Sequence, residues 1–99
     1  MIDTYPINTV NLNSTIRHSE SFICERIDGE VVMISIEKGT YFALDEVGTI
    51  IWDQIERPKQ VAALCHSLVE SSDATHAQCE QDVLEFLNEL SGEGMIVVQ

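Results

Sequence analysis

The fourteen residues from Gly39 to Trp52, Gly-Thr-Tyr-Phe-Ala-Leu-Asp-Glu-Val-Gly-Thr-Ile-Ile-Trp, constrain the fold more than any other stretch of this 99-residue chain. A turn glycine, a short strand from Thr40 to Leu44, a helix cap at Asp45 and the first turns of an apolar-striped helix follow one another without a spare residue. Asp45 can accept backbone N–H groups that a helix start leaves unpaired, and Glu46 stands where the helix dipole favours negative charge. Leu44 before the cap and Ile50 or Ile51 after it are placed to staple the two segments together. Gly48 costs roughly 1 kcal/mol against alanine inside a helix. It is expected where another backbone passes close, most simply that of the sheet the chain has just left.

Strands precede this corner and helices follow it. Phe22 to Ile27 is strand-like, and Asp28-Gly29 is the dipeptide favoured in tight hairpins. Val31 to Ile36 is a β-branched run in which Val32, Ile34 and Ile36 share one face and Val31, Met33 and Ser35 the other. Glu37-Lys38-Gly39 closes a second hairpin onto Thr40 to Leu44, completing a three-stranded antiparallel meander. The first helix is expected over about Glu46 to Glu56, with Val47, Ile50, Ile51 and Ile55 inward, Trp52 anchoring its end and Pro58 interrupting it. A second spans about Lys59 to Glu70, with Val61, Leu64, Cys65, Leu68 and Val69 at helical spacing. After a polar break at Ser71 to Thr75, where Asp73 or Thr75 can cap, a third runs from about His76 to Ser91. Gly92 and Gly94 stop it, and Met95 to Val98 is a short final strand or an extended tail. The pattern predicts an α+β domain of winged-helix type, a three-stranded sheet followed by three helices, over residues 22–98. Residues 1–21 have no sustained period and read as a flexible N-terminal arm with at most one short extended piece.

Composition narrows function. The formal charge is −12, and no lysine or arginine follows Lys59. Nucleic-acid affinity comes largely from cations neutralising phosphates, so a polyanionic partner is repelled, and anionic membrane surfaces are disfavoured for the same reason. The third helix offers Glu80, Asp82, Glu85 and Glu89 where a recognition helix carries cations or amides. A neutral or basic polypeptide remains welcome. Acidity as a mere solubility device is the competing reading. No run is long enough to cross a bilayer and no secretory signal opens the sequence, which places the protein in the cytoplasm. Three cysteines, an odd number with no paired spacing, suit that reducing compartment.

Two apolar surfaces are left over. At about 100° per residue, Cys79, Val83, Phe86, Leu87 and Leu90 form the core stripe of the third helix, with Asp82, Glu85 and Glu89 toward solvent. Leu84 lies to one side, on a shoulder shared with Ala77, Glu80, Leu87 and Ser91. It either covers the margin of the core or forms one wall of a groove. The third strand supplies the other wall. As the last strand of the meander it has a free margin, and none of the lysines, prolines or bulges that usually blunt one occurs between Gly39 and Leu44. Such a margin can take up a peptide as an added strand, unless the Met95 to Val98 segment or the arm already covers it.

Catalytic chemistry does not stand out: there is no nucleophile constellation, phosphate loop or carboxylate pair, and no cofactor site. Cys65, His66, His76 and Cys79 allow a four-ligand metal site to be imagined. However, both cysteines fall on apolar stripes, where cysteine behaves as a small hydrophobe, and no Cys-x-x-Cys pair exists. Neither cysteine has a basic neighbour besides histidine to activate it.

With these parts assembled, the chain from about Phe22 to Val98 resembles the PqqD-like family of peptide-recognition domains. The resemblance rests on Asp28-Gly29-Glu30-Val31-Val32, on the Gly39 to Trp52 block, and on Asp82-Val83-Leu84-Glu85-Phe86-Leu87 leading to Gly94-Met95-Ile96. The middle block is the specific one; where Asp45 stands the family often has Asn, which keeps the capping role. The resemblance implies a non-catalytic module that binds the leader segment of a ribosomally synthesised precursor peptide and presents it to a modifying or cleaving enzyme. The leader adds beside the third strand and lies against the third helix. Thr40, Tyr41, Phe42 and Ala43 are then expected to serve the added strand. Val83, Leu84 and Leu87 would line its pockets, and Glu80 would be a rim charge. The chain looks most like the stand-alone members of lasso-peptide biosynthesis, which hand the precursor to a leader peptidase. It looks less like the pyrroloquinoline-quinone member, which works with a radical enzyme. An adaptor for a radical-SAM or other modifying enzyme in peptide-derived cofactor biosynthesis is one alternative. A protein–protein module that uses the same margin to form a homodimer is another, and a metal or redox sensor built on the Cys and His residues a third.

Overall fold

The computed structural model describes residues 10–70 and 75–99, and within them the chain forms two three-stranded antiparallel sheets and three helices. In chain order the elements are β1 (Thr15–His18), β2 (Ile23–Ile27), β3 (Glu30–Ser35), β4 (Thr40–Ala43), α1 (Glu46–Gln54), β5 (Lys59–Gln60), α2 (Val61–Glu70), α3 (His76–Gly92) and β6 (Ile96–Val98). The expected meander is β2-β3-β4, with Ile23 opposite Ile34 and Ile34 opposite Tyr41. Its first turn uses Asp28 at φ 52° and Gly29 at φ 85°, the successive left-handed pair that a two-residue hairpin needs and that asparagine, aspartate and glycine supply.

The second sheet has the order β5-β1-β6. Its central strand comes from the segment expected as a flexible arm. Ile16 is fully buried and pairs with both Lys59 and Val98. The short extended piece within that arm is therefore part of the core, because a strand with neighbours on both sides satisfies its backbone groups and buries its one apolar face. The final strand pairs with β1 and not with the meander. His18 fastens this sheet to α1: its ring stacks on Trp52 at 3.7 Å, and its Nε2 donates to the Trp52 carbonyl oxygen at 2.8 Å. Residues 1–9 of the expected arm and Asp73 lie outside the described residues.

Helix α1 begins as expected, with the Asp45 carboxylate accepting from Gly48 N–H at 2.8 Å. Its buried side differs. Ile51, Trp52 and Ile55 face the core, whereas Val47 is 61% and Ile50 44% exposed. Thr49 explains the rotation: its Oγ1 accepts from Val31 N–H at 3.1 Å and donates to the Leu44 carbonyl at 3.4 Å. A hydroxyl bonded to the sheet draws the Gly48–Thr49 side inward and turns Val47 and Ile50 outward. Leu44, Met33 and Val31 meet Leu64, Val61, Leu87 and Leu90 in the core. Thr75 caps α3, accepting from Gln78 N–H at 3.2 Å.

Candidate functional site

The margin of β4 is open among the described residues, since the strand pairs only with β3. Leu44 N–H donates to the Val31 carbonyl at 2.9 Å. Facing residues of an antiparallel ladder alternate between bonded and non-bonded pairs. Phe42 therefore bonds toward β3 like Leu44, and the N–H and C=O groups of Tyr41 and Ala43 point to the open side. Phe42, opposite the buried Met33, lies half-buried against the core, while Tyr41 and Ala43 are exposed.

A groove of about 210 Å³ runs between this margin and α3, walled by Phe42, Ala43 and Leu44 on one side and by Phe86, Glu89, Leu90 and Glu93 on the other. Of the residues expected from the sequence, Phe42 and Ala43 line it. Thr40 and Tyr41 belong to the same strand but border a shallow apolar depression with Val32, Ile34 and Ile36. On α3 the structure brings a different set to the groove. Val83 is 3% exposed and Leu87 fully buried. Glu80 Oε1 sits 3.3 Å from His76 Nδ1. Leu84 packs half-buried against the core next to Asn88, whose amide holds Val10 through Val10 N–H at 2.8 Å and the Val10 carbonyl at 3.1 Å. The Leu84 shoulder thus turns toward the N-terminal segment, and the shoulder on the other side of the core stripe turns toward β4.

Phe86, expected in the core stripe, is only half-buried and stands at the centre of this arrangement. A Cβ on Gly48 would lie 3.1 Å from Phe86 Cζ and 3.2 Å from Asp45 Oδ1. What passes close to Gly48 is therefore the aromatic ring of α3 and its own capping carboxylate, not the backbone of the sheet. Beyond the ring a second cavity of about 460 Å³ opens among α1, α2 and α3. It is lined chiefly by Val47, Ile50, Ile51, Leu68 and Val83, with Asp45 and Asp82 at its rim. Phe86 and Asp45 border both cavities.

The cysteines and histidines of α2 and α3 divide between inside and outside. Cys65 and Cys79 are buried, and His66 and His76 are exposed, each facing a glutamate one turn along at 2.9 and 3.3 Å. Among the described residues no group of three or more His, Cys, Asp or Glu is placed to hold a metal ion. Burial pushes the Cys65 thiol up to about 11, and burial also raises Cys79. Desolvation followed by the neighbouring Glu25 raises Cys24. A nucleophilic or metal-binding thiolate needs the opposite shift. No helix among the described residues is long and apolar enough to cross a membrane.

The model of a family described as coenzyme PQQ synthesis protein D (PqqD) matches residues 30–96, more than half of the chain. Among solved structures, TbiB1 in complex with the TbiA(beta) leader peptide is similar, with a TM-score of 0.74 and 29% sequence identity over 81% of this chain and 93% of that one. No curated protein matches the sequence.

Proposed function

This chain belongs to the PqqD family, and on that footing we propose that it binds the leader segment of a ribosomally synthesised precursor, of the lasso-peptide kind, as a strand added to β4. It presents that leader to a processing enzyme such as a leader peptidase and carries out no chemistry itself. The observation that supports this reading most is the β4 margin, open among the described residues and facing an apolar groove, in a fold similar to one solved with a leader peptide in place. Main-chain bonds from Tyr41 and Ala43 supply sequence-independent affinity, each contributing about 0.5 to 1.5 kcal/mol net. Apolar leader side chains against Phe42, Phe86 and Leu90 supply selectivity, at about 1.5 to 3 kcal/mol for each one fully buried. Micromolar binding, about −8 kcal/mol, needs both contributions near the upper end of these ranges, because association itself costs at least about 4 kcal/mol.

A peptide selected from a random sixteen-residue phage-displayed library provides the probe. Its binding should shift the backbone amide resonances of Tyr41 and Ala43 and saturate at one peptide per chain. Ala43→Pro removes one outward N–H and leaves the bonds to β3 intact, a substitution that edge strands tolerate. It should lower affinity roughly fivefold or more with little change in melting temperature. Unchanged affinity, or a selected peptide that leaves the β4 amides undisturbed, overturns strand addition.

A further inference from the structure

We infer that the cavity among α1, α2 and α3 is a second subsite for the same leader, taking an apolar side chain from the stretch that follows or precedes the added strand. The inference rests on the proposed strand addition and extends it. Val47 and Ile50 are large, apolar and exposed on a helix whose neighbouring positions are buried, and they form the outer lip of this cavity. The cavity is larger than the β4 groove, about 460 against 210 Å³, and predominantly apolar. Phe86 and Asp45 line both spaces, and the Phe86 ring lies against Gly48 between them. A chain that occupies both spaces passes Phe86.

The choice of occupant follows from charge and shape. The rim carries Asp45 and Asp82, and among the described residues no lysine or arginine lines either cavity. An extended neutral or basic peptide fits this rim, and an acidic one is repelled. Such a segment places apolar side chains on both sides of the Phe86 ring, with polar or cationic residues between them facing the carboxylates. Recognition then reads the spacing of two anchors, which discriminates among leaders better than a single pocket in which one methylene changes affinity only 10- to 200-fold.

The selected peptide is scanned with alanine against the wild type and against Ile50→Asp and Val47→Asp, whose exposed positions keep the new carboxylate in water. Two separated apolar positions should each lose about tenfold or more on alanine substitution. In the Ile50→Asp protein the loss at one of them should vanish while the other persists. Wild-type affinity in both variants, with the β4 amides still shifting on binding, removes the subsite and leaves strand addition standing. Loss of the β4 shifts as well removes both. If a second copy of this chain occupies the cavity instead, the Val47 and Ile50 methyl resonances will move with protein concentration in the absence of peptide, which also overturns the assignment.

Discussion

Cys65 and Cys79 sit side by side between α2 and α3, with the Cys79 sulfur 3.8 Å from the Cys65 carbonyl oxygen. Burial, and then the adjacent Cys79, raises the Cys65 thiol from its usual 9.0 to about 11. Below pH 9 the thiol is protonated in both folded and unfolded chains and pH has no effect through it. Between about 9 and 11 the unfolded chain releases the proton and the folded one retains it, so stability falls as pH rises, by roughly 2 to 3 kcal/mol in all. Denaturant titrations at pH 7, 9 and 10.5 should therefore show a steeper alkaline loss for the wild type than for Cys65→Ala. Parallel losses would mean that the thiol is not held protonated by the core. The same burial explains why these cysteines serve packing, as their places on apolar stripes indicated.

Helix α3 shows what periodicity conveys and where it ends. Its extent and the buried positions Cys79, Val83, Leu87 and Leu90 follow from spacing, whereas the choice of Thr75 over Asp73 as its cap does not. Spacing orders residues around the axis but does not say which flank of the stripe meets which neighbour. The Leu84 flank is the more apolar in sequence, and the Phe86 flank carries Asp82, Glu89 and Glu93, so composition favours the wrong side for the β4 groove. The deciding contacts are long-range: Asn88 with Val10, and Phe86 with Gly48. Gly48 was the available signal, a costly helical glycine whose partner had to come from elsewhere in the chain. The exposure of Val47 and Ile50 was hidden likewise, because it depends on a Thr49 hydroxyl bonded across to β3. β1 was hidden because four residues carry too little pattern, and its partners lie far along the chain, one near residue 60 and the other at residues 96–98. Phe86→Ala should lower affinity for a selected peptide about tenfold or more, the worth of a buried aromatic contact. Leu84→Ala should reduce melting temperature while leaving affinity within about twofold. Calorimetry on both variants checks the assignment, and equal losses in affinity would return Leu84 to the site.

Across the whole molecule the charge of −12 is distributed so as to act on the proposed site. Asp45, Glu89 and Glu93 border the β4 groove and Asp82 the cavity beyond it. One opposing charge, Lys38, is 3.9 Å from Glu93 and more than half exposed. Carboxylates around an apolar cleft draw a cationic peptide toward it from several ångströms away, and that attraction acts on encounter more than on residence. Added salt shortens the screening length from about 14 Å near 50 mM to about 4 Å near 500 mM. The association rate of a selected basic peptide should therefore fall several-fold over that range while its dissociation rate changes little, because apolar burial and main-chain bonds hold the complex once formed. A neutral variant of the same peptide should lose the salt dependence and keep the dissociation rate. If salt instead accelerates dissociation and leaves association unchanged, the carboxylates make close ion pairs with the bound peptide, and specificity resides in the rim and not in the apolar floor on either side of Phe86.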